Sequence, residues 1–598
     1  MSWNFNRTRQ RIGLLLLTVV FAQTLCRNAD AGITLPDENN DAETDLRSYL
    51  VDITGAHFDS AADRYWGLAN NHGRDLISRP DGSFVGVRDA LDAIPADAMT
   101  QVVALLRARH GADAAAAITA VTADPHWWPH DLYSTAMRCR HTAESDSALT
   151  TAAARAMAQG DTATAALLSG KPPADPAVSV VPFQANWFGT VSGYPAEKVI
   201  PISAGDMIFV ANNVGGGTQH GHLMALSENG TVKWMVRSDR SPGVDRYASI
   251  SIDRGPVSIP GIVTDDTGHP QIAITRFTGG TSGGWLAAYR ASDGRLLWST
   301  ADTLPGVAVL SSPSIAGRFA CCIGLESGTD PSTADLQLIA FDVTDGRAIW
   351  RTHLAAITEI PIVNQGGGFR WLGFFLDQGP PLISGGSVVI APGIGAVMSV
   401  DRIDGTIHWI RPYGPAVIDE NQLRSYHQQR QFGNPLAPPT TWTQLLRWTN
   451  TPVVAGGIVV AAPQDTDMAY GIDLATGKNV WQSNGLPPGV PVTVAGGKVI
   501  WAGQFRRDVE ALTAVDPTSG QGSWTFEPKD RARVTGLPVV RGNRIVVWTS
   551  AGRAVLDTAQ GNPARDGVGI DFDAVISTEA GRSTLRNAEM TGSFAGAR

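Results

Sequence analysis

From Leu336 to Trp350 the chain reads LQLIAFDVTDGRAIW: an apolar run, a polar break and a second run closed by a tryptophan. Alternation and β-branched content predict two strands, and Asp345-Gly346 between apolar runs predicts a tight hairpin turn. Glycine takes the left-handed conformation such a turn needs, and the side chain before it can bond its own backbone.

The pattern recurs. Gly-x-x-x-Trp closes units at Gly230/Trp234, Gly294/Trp298, Gly346/Trp350, Gly405/Trp409, Gly477/Trp481 and Gly520/Trp524. Four of these units carry an aspartate eight residues before the tryptophan: Asp342, Asp401, Asp473 and Asp516. A proline, a short apolar run, one or two glycines and another apolar strand precede each copy, beginning at Pro201, Pro313, Pro381, Pro452, Pro491 and Pro538, with a stretched version from Pro260. The last copy pairs with Ala554–Pro563, which keeps the aspartate and glycine but lacks the tryptophan. Seven consecutive units result.

Four strands in each unit of roughly 40–50 residues predict a β-propeller. Sheets stacked face to face bury both surfaces, so runs such as Ile458–Ala462 need not alternate with polar residues. The tryptophans are then packing residues wedged between neighbouring blades, each burying roughly 150–250 Å².

The stretches Ala340–Trp350 and Tyr470–Trp481 resemble the repeats of quinoprotein-type β-propellers. That superfamily includes pyrroloquinoline-quinone (PQQ) dehydrogenases and the scaffold lipoprotein of outer-membrane β-barrel assembly. The resemblance spans about residues 185–565 and speaks to fold more than to activity, because the motif is the part that packs blades. It implies eight blades where the residues themselves show seven. Trp187 and residues 566–598 are candidates for closing the ring.

Before the repeats the texture differs. Arg7, Arg9 and Arg11, the apolar run Ile12–Ala22 and Ala29-Asp30-Ala31 predict a secretory leader over residues 1–31. Its apolar core is shorter than the about 20 residues a spanning helix needs, and no later stretch reaches that length without charges. Cys26 follows Gln23-Thr24-Leu25, which lacks the small residues of a lipid-attachment site. Residues 32–45 are acidic and predicted disordered. Residues 46–170 carry apolar positions at helical spacing, with glycine and aspartate as punctuation, and predict a helical domain. An alanine-rich pair hinged at Gly160-Asp161 resembles half of a tetratricopeptide-type repeat. Residues 171–184 form a proline-rich linker to the propeller at 185–565. The expected fold is therefore mainly β, a seven- or eight-bladed propeller with an N-terminal α-helical domain.

The formal charge of −9 becomes about −12 once the leader, with four arginines and one aspartate, is removed. An acidic surface argues against nucleic acid and anionic membrane as partners. Cys139, Cys321 and Cys322 remain after the leader, too few for a disulfide framework.

Several constellations could carry chemistry. Adjacent cysteines form a vicinal disulfide in quinoprotein alcohol dehydrogenases, but Cys321 and Cys322 occupy slots that other repeats fill with Phe209-Val210, Ile390-Ala391 and Trp501-Ala502. Those are core strand positions, where a cysteine is a small buried hydrophobe. His220/His222 and His126/His130 lack a neighbouring third ligand, whereas a metal site needs three or four. Gly215–Gly217 does not lie between a strand and a helix, as a phosphate loop would.

Two functions compete: a non-catalytic envelope scaffold that binds protein or glycan, and a PQQ-dependent dehydrogenase. The dehydrogenase would imply PQQ with calcium in the central funnel, yet no stretch resembles the ligand-bearing loops, so no cofactor is expected. The repeats are short except at two insertions. The first, Asn364–Pro381, holds Phe369, Arg370 and Trp371. The second, between Trp409 and Pro452, holds Tyr426, His427, Arg430 and Trp442. Aromatics and arginine are enriched at interface hot spots, so these loops are the expected binding surface; the alternative is that they fold inward over the funnel.

Overall fold

The computed structural model describes residues 33–171 apart from Asp37, then 201–237, 260–327, 333–358, 378–413, 451–528, 538–562 and 575–584, with short breaks within several stretches. In the third repeat Ser314–Ala316, Phe319–Ser327, Thr333–Asp342 and Ala348–Thr358 are four consecutive antiparallel strands. The same up-and-down sheet recurs in six repeats, ending with Gly489–Ala495, Lys498–Arg506, Val509–Val515 and Gly522–Phe526 in the sixth. The seventh shows three described strands between Val539 and Asp557. A C-terminal hairpin, Val575–Thr578 with Gly581–Thr584, packs against the first strand of repeat one, so the two ends of the propeller region meet.

The hairpin turn is wider than a two-residue Asp-Gly turn. Asp342 accepts a backbone bond from Gly346 at 2.9 Å, and its carboxylate takes the Thr344 N–H at 2.8 Å. The turn therefore spans Asp342–Arg347, with Gly346 at φ +69°. Asp401, Asp473, Asp516 and Asp557 anchor their turns in the same way, each carboxylate accepting a backbone N–H from its own turn.

These turns receive the tryptophans. The indole N–H of Trp234 donates to the Ala291 carbonyl of the next repeat at 2.8 Å, and Trp298 donates to Val343 at 2.8 Å. Trp350 donates to Arg402, Trp409 to Leu474, Trp481 to Pro517 and Trp524 to Thr558. Each ring lies on the turn glycine of that next repeat. A Cβ at Gly405 would stand 2.8 Å from Trp350, and one at Gly477 would stand 2.5 Å from Trp409.

Within its own sheet each indole faces a small residue: Ala225, Ala288, Ala340, Ser399, Gly471 or Ala514. The ladder shifts register immediately after that residue in all six repeats. Such a bulge bends the strand and re-aims its side chains.

The strands bury both faces. Cys321 packs with Leu338 and Met398 between repeats three and four, while its neighbour Cys322 packs with Ile274 and Ile339 between repeats two and three. Both thiols are free and fully buried, and burial pushes both above the ordinary thiol range.

The N-terminal segment forms α1 (Asn40–Thr54), α2 (Phe58–Asn71), α3 (Val87–Asp92), α4 (Ala96–Thr122), α5 (Pro129–Arg138), α6 (Ala143–Ala158) and α7 (Thr162–Leu168). Gly160, at φ +77°, hinges α6 and α7. Three expectations change here. The described residues of the acidic stretch 32–45 are ordered: Ile33–Thr34 is a strand, and Asn39 caps α1 by accepting from the Asp41 and Ala42 N–H groups. A cap with acidic residues in the first turn stabilises a helix start. Gly111 does not interrupt α4; its missing side chain leaves room for the Glu144 carboxylate at the start of α6. The helical region also contains a hairpin, Leu76–Ser78 with Phe84–Gly86, whose second strand extends the fourth repeat by pairing Val85 with Trp409 and Phe84 with Ile410.

Replacing Trp350 with alanine removes a buried indole and its bond to Arg402, and should lower unfolding stability by about 3–5 kcal/mol. Gly405→Ala should destabilise the same contact from the other side. Chemical denaturation measures both, and a loss below about 1 kcal/mol for Trp350→Ala would remove the latch from the account of the fold.

Candidate functional site

In the fourth repeat the hairpin turn is not at the surface. Residues Asp401–Thr406 are all buried, with Ile403 inserted among Trp127, Leu132 and Ala152 of the helical segment. Other turns carry Thr344, Ala475, Thr518 or Ala559 at that slot. An isoleucine at the tip of a turn is a local sequence signal for docking that the repeat pattern by itself does not single out.

Around Ile403 lies a buried network of charges. Arg88, at the start of α3, donates to Asp404 at 2.8 Å and stands 3.7 Å from Asp401. The Tyr133 hydroxyl of α5 donates to Asp401 at 2.8 Å. Asp89 meets the His408 ring at 3.0 Å, and Arg411 pairs with Asp81 at 2.8 Å. Arg79 reaches across to the Thr476 carbonyl in repeat five. Arg318 of repeat three donates to the Gln159 carbonyl at 2.6 Å, and Arg347 lies 4.5 Å above the Trp128 ring.

Burial disfavours charge on Arg88, Tyr133, Asp401, Asp404 and His408, and the neighbours decide the outcome. Burial would lower Arg88, but Asp404 and then Asp401 hold it charged, above its ordinary range. Burial would raise Asp404, yet the Arg88 guanidinium holds its carboxyl below the usual range. Asp401 goes the other way, raised by burial and by the charge of Asp404. Burial and Asp401 push the Tyr133 phenol up. His408 is pulled down by burial, but its bond to Asp89 and the nearby Asp401 carry it up to about 9.

Beside this network a cleft of about 700 Å³ opens between the helical segment and repeats three and four. Its walls are Pro36 and Glu38–Asp41, residues Arg74–Leu76, the outer strand of repeat three at Arg351–His353, and the turn Asp404–Ile407. Arg74, Arg351 and His353 share it with Glu38, Asp41 and Asp75. An open cleft of mixed charge suits polar polypeptide, whereas small-molecule pockets are mostly apolar.

The residues expected from sequence to form a binding surface, Phe369, Arg370, Trp371, Tyr426, His427, Arg430 and Trp442, lie outside the described residues. Their flanks fix where the two insertions depart. Both leave the end of a fourth strand remote from the Asp–Gly turns, after Thr358 and after Tyr413. The helical segment grips the turn-bearing face, so these departures are on the opposite face. His220 and Gly215–Gly217 also fall outside the described residues, while His222 begins the strand His222–Ser227. His126 is exposed, and His130 meets Asp131 at 3.4 Å. Among the described residues no three His, Cys, Asp or Glu side chains gather as metal ligands would.

Two results should follow from the buried network. Arg88→Ala leaves two buried carboxylates without their cation and should cost about 3–5 kcal/mol, read by denaturation. The folded-state pKa of His408, about 9, exceeds the ordinary 6.5. Its stabilising contribution is therefore complete below about pH 6.5 and is lost as pH rises through about 9. Unfolding free energy should fall across that window, and His408→Gln should flatten that part of the profile. An unchanged profile in the variant would remove His408 from the seam's energetics.

The sequence profile of the family described as outer membrane protein assembly factor BamB matches residues 184–411 and 439–567. No curated protein matches the sequence. Among solved structures, BamB from Moraxella catarrhalis is similar at 18% identity, over 61% of this chain and 86% of that one, with a TM-score of 0.36. A europium-containing methanol dehydrogenase is similar at 11% identity, over 64% and 79%, with a TM-score of 0.37. Quinohemoprotein alcohol dehydrogenase ADHIIG from Pseudomonas putida HK5 is similar at 13% identity, over 62% and 66%, with a TM-score of 0.37. At such TM-scores the family profile alone carries the assignment. It spans more than half of the 598 residues, and the chain is a PQQ-like propeller repeat protein that belongs to the outer membrane protein assembly factor BamB family.

Proposed function

We propose that this protein is an exported, non-catalytic binding scaffold of the cell envelope that presents its propeller to a protein or glycan partner. The observation that carries the reading is how the perturbed ionisable groups are used. Arg88, Tyr133, Asp401, Asp404 and His408 combine burial with strong charge coupling, the usual mark of a catalytic centre. Here they hold a helical segment onto a repeat. Family membership supports the same direction, since the family's description names an assembly factor.

The helical segment covers one face of repeats three to five, and the two insertions depart from the other. Long loops on a rigid frame are where binding residues concentrate, so the insertion face is the proposed partner surface. The leader over residues 1–31 directs the chain to the envelope in this reading. The dehydrogenase alternative would require calcium held by several oxygen ligands beside PQQ.

Protein purified after growth with PQQ and calcium should show neither quinone absorbance nor stoichiometric calcium. Tight binding of both would make the dehydrogenase the better reading. Arg370→Ala/Trp371→Ala should abolish recovery of cross-linked envelope partners while leaving the melting temperature unchanged. A large drop in melting temperature with recovery intact would place these side chains inside the fold instead.

A further inference from the structure

The fourth strand of repeat three, Ala348–Thr358, is an outer edge, and this chain's own N-terminal strand occupies part of it. Ile33 pairs with Ile357 and Thr34 with Ala356, antiparallel. The addition then stops. Pro36 has no N–H to give a ladder, and the chain turns away to Asn39, whose N–H donates to the Leu76 carbonyl at 2.9 Å. On its inner side Arg351–His353 pairs with the third strand of the repeat, but on its outer side no described strand continues from Ala356 along Arg351–Leu354. There the edge forms a wall of the cleft, with the Arg351 and His353 side chains exposed.

We propose that residues 33–36 are a strap occupying, in part, an edge that takes an extended segment of a partner protein by strand addition. The proposal rests on the scaffold reading and gives that partner a chemistry. A sheet edge is a row of unpaired donors and acceptors that templates another strand, and strand addition obtains affinity from main-chain bonds and selectivity from alternate side chains. The strap shows the edge accepting an antiparallel strand in a defined register. Only two residue pairs hold it there, and Thr34 is exposed.

A partner segment without a proline at the third position after Ile33's counterpart could continue past Ala356 to Arg351. It would close over the cleft as it did so. The segment should carry apolar side chains at alternate positions in phase with Leu35, which packs against the core of repeats three and four. The strap and the segment compete for Ala356 and Ile357, so the strap must lift before the partner binds.

The test locks the strap. Thr34→Cys with Ala356→Cys places two thiols at directly opposed positions. Cys139, Cys321 and Cys322 are buried, and Cys26→Ser leaves the new pair as the only accessible thiols. The probe is a fluorescent peptide of residues 32–39 carrying Pro36→Val, read by anisotropy. Full chain in the reduced state should bind it, and the oxidised chain should bind at least tenfold more weakly at an unchanged fold by circular dichroism. Equal binding in the two states, or none in either, would overturn the proposal. Dimerisation of the reduced chain by exchange of straps would overturn it too, placing a second copy on the edge. Quinone binding in the preceding experiment would overturn the scaffold reading while leaving this peptide result to stand or fall by itself.

Discussion

Each of the first six repeats is joined to the next by an indole lying on a glycine turn, with the indole N–H bonded to a carbonyl of that turn. This contact makes four demands at once. The tryptophan must be large and flat, and the receiving glycine must have no side chain and a positive φ. In five of the six receiving turns an aspartate holds the turn in shape, and a small residue must stand opposite the indole in its own sheet. None of these is useful alone. Because the demands fall on two neighbouring repeats, a sheet that met them by itself would gain nothing until its neighbour formed. That coupling turns a string of small sheets, each too small to bury its own faces, into one structure.

The helical segment exploits the same turn for a different purpose. In repeat four the turn serves Trp350 on one side and the helices on the other, with Ile403 in an apolar core and Asp401 and Asp404 in a buried charge network. A buried ion pair is weak evidence for stability, because desolvation offsets its attraction. Its clearer effect is on register: Arg88 can satisfy both carboxylates only where the helices sit correctly on this one repeat. The Leu76–Gly86 hairpin adds a second constraint by pairing with Trp409 and Ile410.

The repeats were legible because their signals are local. Aspartate, glycine and tryptophan recur within a dozen residues, and the turn they build is bonded within itself. The small residue two places before each aspartate, as in Ala340 before Asp342, was equally visible, but its meaning depends on the bulge across the ladder. The order of residues 38–54 was also written locally, in the cap Asn39 and in Leu46, Tyr49, Leu50 and Ile53 at helical spacing; the acidic composition obscured it. The seam was not legible in the same way. Arg88 and Asp404 are 316 positions apart, and nothing near either names the other. Only Ile403 gave a local hint. The insertion residues belong to no repeat, so neither the period nor the described strands locate them.

That separation has a temporal meaning. The helices are the first part of the ordered chain to be synthesised, but the turn they enclose comes much later: Tyr133 meets Asp401 across 268 positions and Arg88 meets Asp404 across 316. Until repeat four exists, Arg88 and Tyr133 have no carboxylates to meet, and the pocket for Ile403 stands open. The repeats between can assemble one on another, since each needs only its neighbour. The helices instead close loops of this length, and contacts of such range are slow to form. A chain passing a membrane end first would therefore carry its helical segment as an unfinished surface for much of its passage, open to whatever holds it meanwhile.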